Sequence, residues 1–508
     1  MITEIESKRA VFSIYGECED VNESEFFLVN RETGRQFEPT YKEYANNRYK
    51  ILLNVESMND EMPLMSGKYY LVRKNDLVEE KFQGSTNANI RIRKSYKEYI
   101  ICDVTKDSDG CLCINIDTKL PGKSDISIKK RIIEFGFNSI FQVINFFIPK
   151  CGKKIFITSG SRAYIDGNEK FIYDEMLKRG WDRKYKIVQD FKSSISIRYN
   201  MIKMLKFIYN MATSDVIIVD DYYPEINKVN YSKKTSIFQV WHACGAFKTV
   251  GLERGAKKGA PPINSKVHKC YTHVPVSSKL SAFHQQEAYG INFDKFYTVG
   301  IPRTDVFFDD EYKKHICEEI YKEYPQIREF SRVILYAPTF RGESSLDAFF
   351  PMDKIDMHKL GLMCAKTNSF LIIKMHPFVK EKVDIPVGYQ DYMLDASNYR
   401  EVNDWLFVSD ILITDYSSVI YEFSLLKRPM LFYAFDQAEY VEQRDFYESY
   451  EETVPGEICQ TLDELMEYLY QDNIPMDKIE SFIQKNFEYM DGKATERVVD
   501  LIADCLKE

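Results

Sequence analysis

At 508 residues the chain is too long for one hydrophobic core and implies several domains. A 44% hydrophobic, 29% charged composition describes a folded protein, and a net charge of −9 argues against nucleic-acid binding through bulk positive charge. The eleven cysteines are dispersed, with only Cys111 and Cys113 near neighbours and no CxxC, so they read as reduced thiols rather than as disulfides or a zinc site. The N-terminal MITEIESKRAVFSIYG has acidic residues where a secretory signal carries positive charge, so an intracellular location is expected.

Residues 1–125 contain AVFSIYGEC, EFFLVNRETGRQFEPT, RYKILLNV, KYYLVRKN and EYIICDV, which alternate apolar and polar residues between Asn, Asp, Gly and Pro. This pattern predicts a small antiparallel β domain. The run PGKSD at Pro121–Asp125 is the expected boundary. Residues 126–150 then predict an amphipathic linker helix. Glu134, Asn138, Gln142 and Asn145 recur at helical spacing, and Lys129, Lys130, Arg131, Lys150, Lys153 and Lys154 bracket the segment. Such a helix either lies in a membrane interface or packs on a core as an interdomain helix. No apolar run of the roughly 18 residues needed to span a bilayer occurs.

The pattern then changes to short apolar strands alternating with helical stretches. KIFITS, YKIVQ, DVIIVDD, SIFQVWH, THVPVSS and FYTVGIPR fall in an expected N-terminal lobe, 151–320. VILYAPTF, FLIIKMHPF, DYMLDA, DILITDYSS and PMLFYAF fall in an expected C-terminal lobe, 321–508. Continuous apolar strands with intervening helices predict parallel sheets covered on both faces, hence an α/β chain of two Rossmann-like lobes facing a cleft. In that architecture ligands bind beyond the carboxyl ends of the strands. Polar residues recur at that place: His242, Arg303 and Asp305 in the first lobe, and Thr339, Arg341, Lys374, His376, Thr414, Asp415, Ser417 and Ser418 in the second.

Ser417 and Ser418 lie in a strand-to-helix turn, where hydroxyls and backbone N–H groups suit a phosphate, although simple N-capping explains them too. Arg341, Lys374 and His376 supply donors for a diphosphate. His242 is one of seven histidines, and an imidazole at a cleft can take a proton from an attacking hydroxyl. Lys248, Glu422 and the residues flanking these motifs are candidate supporting groups. Asp220 and Asp221 end a strand but read as easily as capping or solvation, so no metal and no cofactor is expected. The sequence gives no signal for an oligomeric state.

The combination of WHACGAFK (Trp241–Lys248), VGIPRTD (Val299–Asp305), YAPTFRG (Tyr336–Gly342), KMHP (Lys374–Pro377) and SDILITDYSSVIYEFSLLKRPMLFY (Ser409–Tyr433) resembles the CDP-glycerol glycerophosphotransferases of teichoic acid synthesis. The motifs cover roughly residues 150–490. The resemblance implies a GT-B-like fold and transfer of a polyol phosphate from a CDP-polyol to a hydroxyl of a lipid-linked polymer, releasing CMP at the inner membrane surface. It implies that His242 is the catalytic base, that Arg341 and His376 hold the donor diphosphate, and that Thr414, Ser417 and Ser418 form the phosphate turn. Many glycerol-phosphate members have WHGTPLK, and WHACGAFK is similar to the ribitol-phosphate form. The basic loop LERGAKKGAPP (Leu252–Pro262) is a candidate guide for an anionic acceptor. A GT-B glycosyltransferase using a nucleotide sugar is the alternative.

Overall fold

The computed structural model describes residues 1–506 apart from 9–10, 18–25, 32, 46, 56–57, 59–63, 65–66, 74–77, 84–88, 96–97, 120–127, 149, 195–196, 255–266, 343–346, 400, 445 and 472. The chain divides into two compact units, the first comprising residues 1–126 and the second most of the remainder. In the first unit, Ile2–Lys8, Val11–Glu17, Arg48–Asn54 and Tyr41–Ala45 form one antiparallel sheet in that order. A second antiparallel sheet is built around Phe26–Asn30, Gly67–Arg73, Leu112–Lys119, Glu98–Lys106 and Asn89–Ser95. Alternation sends Phe12, Ile14, Ile51 and Leu53 of one sheet and Phe26, Leu28, Leu71 and Ile114 of the other into one shared core.

The second unit carries two large parallel sheets, besides a two-stranded parallel pair of Val274–Val276 and Phe296–Thr298. In the N-terminal lobe the strand order is Lys186–Phe191, Lys154–Ser159, Val216–Val219, Ser236–Gln239. In the C-terminal lobe it is Met393–Asp395, Ser369–Ile373, Arg332–Tyr336, Ile411–Thr414, Met430–Tyr433, Glu457–Cys459. Numbered along that lobe the order is 3-2-1-4-5-6, the doubly wound arrangement that places a ligand crevice where the order reverses, between Arg332–Tyr336 and Ile411–Thr414. The inner strands Lys154–Ser159, Val216–Val219, Arg332–Tyr336, Ser369–Ile373, Ile411–Thr414 and Met430–Tyr433 are wholly buried, as sheets covered on both faces require.

The final helix, Ala494–Leu506, departs from the expected division. Val498, Val499, Ile502 and Leu506 pack with Ile155, Ile157, Val216 and Ile218 in the core of the N-terminal lobe. The last segment of chain thus crosses back, because its apolar stripe completes the sheet face that the first lobe leaves open.

The segment 126–150 does form a helix, Ile128–Phe147, but its faces are not arranged as the polar stripe suggests. Gln142 donates to the Asn230 carbonyl and Asn138 accepts from the Asn230 amide, so both polar side chains face protein. Phe137 and Phe141 are buried, whereas Ile133, Phe135, Val143, Phe146 and Phe147 are exposed. Two of the supposed basic flanks are interior. The Lys150 ammonium donates to the Ser214 carbonyl and to Thr235, and that of Lys154 to Asn210 and Thr213. Burial pulls both lysines down to about 8.

Candidate active site

The strand Ser236–Gln239 runs out into Val240, Trp241 and His242, and three contacts fix that exit. Asn168 Nδ2 donates to the Val240 and Trp241 carbonyls at 3.0 and 2.8 Å, while its Oδ1 accepts from the Arg303 amide at 2.9 Å. Trp241 sits at φ 46°, a left-handed conformation unusual for a bulky residue and held here by these bonds. The His242 ring stacks on Trp241 at 4.5 Å, remains 45% exposed, and turns Nδ1 toward Asp221 Oδ1 at 3.8 Å.

The loop after His242 leaves its own lobe and enters the core of the other. Cys244 and Phe247 are buried among C-terminal-lobe residues, with the Phe247 ring 4.9 Å from Phe446. A Cβ at Gly245 would lie 2.1 Å from the Tyr421 ring, so this close approach demands glycine. Lys248 then reaches the Tyr440 hydroxyl at 3.3 Å.

Arg303 bonds the two lobes together at this point. Its guanidinium donates to the His242 carbonyl at 3.0 Å and faces Glu422 at 3.4 Å and Glu401 at 3.8 Å. Burial alone would lower its pKa, but Glu422 and Glu401 more than offset that and hold it up. Arg303 and Glu422 therefore position the His242 loop. Asp305 stands apart from this arrangement, since its two carboxylate oxygens accept from the Ala494 and Thr495 amides at 2.9 and 2.8 Å and cap the returning helix.

In the C-terminal lobe the strand-end residues separate into two groups. Arg341 is buried, donates to both oxygens of Asp436 at 2.5 and 2.8 Å, to Asp415 at 2.9 Å and to the Thr339 carbonyl at 2.6 Å. Asp415 also accepts from the Thr339 and Tyr416 amides. The Thr414 hydroxyl donates to the Ala337 carbonyl at 2.7 Å. Arg341 and Thr414, expected to face a diphosphate, thus make these contacts within the crevice wall.

Lys374, His376, Ser417 and Ser418 form the available group. Lys374 is buried with one long contact to the Ser397 carbonyl at 3.4 Å, and burial lowers its pKa against the pull of Glu401 and Asp395. His376 lies between Phe340 and Phe378, each ring centroid 4.7 Å away, and its Nδ1 accepts from the Phe378 amide. That bond leaves the proton on Nε2, a neutral donor. Burial, then the Lys248 and Lys374 charges, pull its pKa down to about 4. Ser417 Oγ accepts from the Val419 amide, leaving its hydroxyl proton to donate outward, and Ser418 heads the following helix with no side-chain cap bond.

Among the described residues no group of three or more His, Cys, Asp or Glu is arranged to hold a metal ion. Asp220 is instead paired with Arg162 at 2.7 Å beside the buried Glu169, and burial raises the pKa of both carboxyls. Sequence reasoning missed Asn168, Glu401 and Asp436. Asp436 follows the strand Met430–Tyr433 and was accessible to the strand-end rule; Asn168 lies within a helix and carried no such signal. Lys257 and Lys258 of the basic loop lie outside the described residues.

Two doubly wound lobes joined across a cleft by a histidine-bearing loop define a GT-B-like chain. Residues 140–504 match the family described as CDP-Glycerol:Poly(glycerophosphate) glycerophosphotransferase, and the chain belongs to that family. It is 44% identical over 366 residues to the teichoic acid ribitol-phosphate polymerase TarL of Staphylococcus aureus, covering 72% of this chain and 65% of TarL. It is 34% identical over 474 residues to the teichoic acid poly(ribitol-phosphate) polymerase of Bacillus spizizenii, covering 91% of this chain and 75% of that protein. The fold is similar to that of the wall teichoic acid polymerase TagF, with TM-score 0.60 and 22% identity over 75% of this chain and 96% of that structure.

Proposed function

We propose that the protein transfers ribitol phosphate from CDP-ribitol to a terminal hydroxyl of a lipid-linked teichoic acid, releasing CMP. The observation that carries this is one network: His242, fixed at the rim of the first lobe, is joined through Arg303, Glu401 and Glu422 to the lobe bearing Lys374, His376, Ser417 and Ser418. His242 Nε2 takes the proton of the acceptor hydroxyl, with Asp221 orienting the ring through Nδ1. The new O–P bond forms as the P–O bond to CMP breaks. The departing charge meets donors from Lys248, Lys374, the His376 Nε2–H and the two serine hydroxyls, which need no reorganisation. Ribitol is favoured over glycerol by the names of the TarL and Bacillus spizizenii relatives.

The test supplies the protein with a lipid-linked acceptor analogue and CDP-ribitol, CDP-glycerol or a UDP-sugar, and sizes the products by mass. CDP-ribitol gives CMP and product grown by ribitol phosphate units. CMP and growth from CDP-glycerol alone would reverse the donor assignment, and turnover of the UDP-sugar alone would return the glycosyltransferase reading.

A lipid-linked acceptor brings the site to the cytoplasmic membrane surface. No described helix is long and apolar enough to cross a membrane. Two neighbouring helices, Ile128–Phe147 and Met201–Thr213, instead expose Phe146 (80%), Met201 (79%) and Ile202 (80%), with Lys206 exposed on the second. An apolar face edged by positive charge suits an anionic bilayer. Phe146→Glu with Ile202→Glu abolishes sedimentation with phosphatidylglycerol vesicles if this face docks; unchanged sedimentation removes it.

A further inference from the structure

The N-terminal lobe holds a cavity of about 440 Å³ lined by Ala163, Lys192, Ser193, Arg198, Asn200 and Lys203 among others. It lies beyond the carboxyl ends of Lys154–Ser159 and Lys186–Phe191, the edge on which His242 follows Ser236–Gln239. Lys192 forms its floor, buried over the Tyr223 ring at 4.5 Å and paired with Glu225 at 3.2 Å. Arg198 and Lys203 are exposed and make no ion pair among the described residues, and Lys203 is held over the Tyr199 ring at 5.6 Å. Asp190 is the other nearby acid and accepts from the Tyr199 hydroxyl at 2.8 Å. Three cations against two carboxylates leave the cavity positive.

We propose that this cavity binds the acceptor chain behind its reacting end, with Arg198 and Lys203 on a phosphodiester and Ser193 and Asn200 on polyol hydroxyls. The inference rests on the reading of the active site given above. A polyol-phosphate chain alternates an anion with hydroxyls, and the cavity alternates cations with uncharged hydrogen-bonding groups. Lys186–Phe191 and Ser236–Gln239 are separated by three strand spacings, about 14 Å, so the bound phosphate lies beyond the terminal unit that reaches His242. The same anion chemistry could come from a lipid headgroup, since the Met201–Thr213 helix also exposes apolar residues.

The experiment compares the wild-type chain with Arg198→Ala/Lys203→Ala and with Arg198→Lys. Calorimetry measures binding of a lipid-free ribitol-phosphate oligomer, sedimentation measures binding to phosphatidylglycerol vesicles, and turnover gives the KM for oligomer and donor. The double variant, folded by circular dichroism, weakens oligomer binding and raises the acceptor KM about tenfold, the weight of two solvent-screened charged contacts. The donor KM stays within about twofold on the same reasoning, vesicle binding is kept, and Arg198→Lys recovers most of the affinity. Equal oligomer binding by wild type and double variant overturns the proposal, as does wild type that binds no oligomer. Loss confined to vesicles assigns the cavity to a headgroup and overturns it too. A wild type that binds the oligomer through these cations yet turns over no CDP-polyol sinks the proposed reaction and leaves the cavity assignment standing.

Discussion

The two strand-end rims of the second unit are built from opposite materials. Around His242 the N-terminal rim gathers carboxylates: Asp221 faces the imidazole, and Asp220, paired with Arg162, and the buried Glu169 lie nearby. The C-terminal rim gathers donors, with Lys374, a neutral His376 and two serine hydroxyls, while Asp415 and Asp436 pair with Arg341, and Glu401 and Glu422 with Arg303. The difference matches the two halves of a group transfer. A base is served by a carboxylate that orients its ring, whereas a leaving phosphate is served by N–H and O–H groups held in place before the charge arrives. The comparison also shows that a charge at a strand end is informative only once its partners are known. Arg341 and Lys374 both follow apolar strands, yet one makes four hydrogen bonds and the other has a single long contact.

The sharpest way to break this contrast is to remove the proposed base. His242→Ala is expected to lower kcat about 10²- to 10⁴-fold, the usual range for general-base loss, while calorimetry shows CDP-polyol binding within about twofold. A proportionate loss of donor binding would place His242 in the anion site and erase the distinction between the rims. Arg341→Met tests the other side. It leaves the buried Asp415 and the half-buried Asp436 without their cation and is expected to destabilise the protein by about 3–5 kcal/mol in denaturant unfolding. If the variant is stable and instead loses donor affinity, Arg341 belongs with the available donors after all.

Much of this arrangement was legible in the sequence because strand ends in parallel sheets announce themselves. KMHP and TDYSS end continuous apolar runs, and the structure puts their polar residues at the carboxyl edge. What was not legible is pairing across long separations. Arg341 finds Asp436 ninety-five residues away, and Arg303 meets Glu401 and Glu422 from another lobe. Local pattern carries no information about such partners. The linker helix shows the same limit: it forms over Ile128–Phe147 and buries Phe137 and Phe141, but its periodicity does not say that Asn138 and Gln142 bond the backbone of Asn230. The returning helix Ala494–Leu506 has an ordinary amphipathic pattern that says it packs, not on which lobe.

Asp221 offers a smaller and more discriminating change. Asp221→Asn keeps the size of the side chain and the bond from the Tyr222 amide, but presents a neutral group to His242 Nδ1. Loss of ring orientation is expected to reduce kcat about tenfold with the KM for donor and acceptor little altered, since a misplaced base harms the transition state rather than binding. An effect on KM alone would show that Asp221 contacts substrate and does not act through the imidazole.

The last expected effect concerns the protonation of His376. Its folded pKa of about 4 lies below the ordinary imidazole value of about 6.5, so between these limits the unfolded chain binds the extra proton. Its contribution to stability is therefore complete above about pH 6.5 and is lost as the pH falls toward 4. His268 and His273, lowered by burial to about 3 and about 4, act in the same direction, so the wild-type curve alone does not isolate it. The difference between wild type and His376→Gln does: across that window the wild type should lose stability more steeply, by up to about 1.4 kcal/mol per pH unit. Identical slopes would mean that His376 stays hydrated and titrates normally in the folded protein. It could not then be a fixed neutral Nε2–H donor at the acid end of the range, and the division between a proton-accepting rim and a proton-donating one would have to rest on Lys374 and the serines alone.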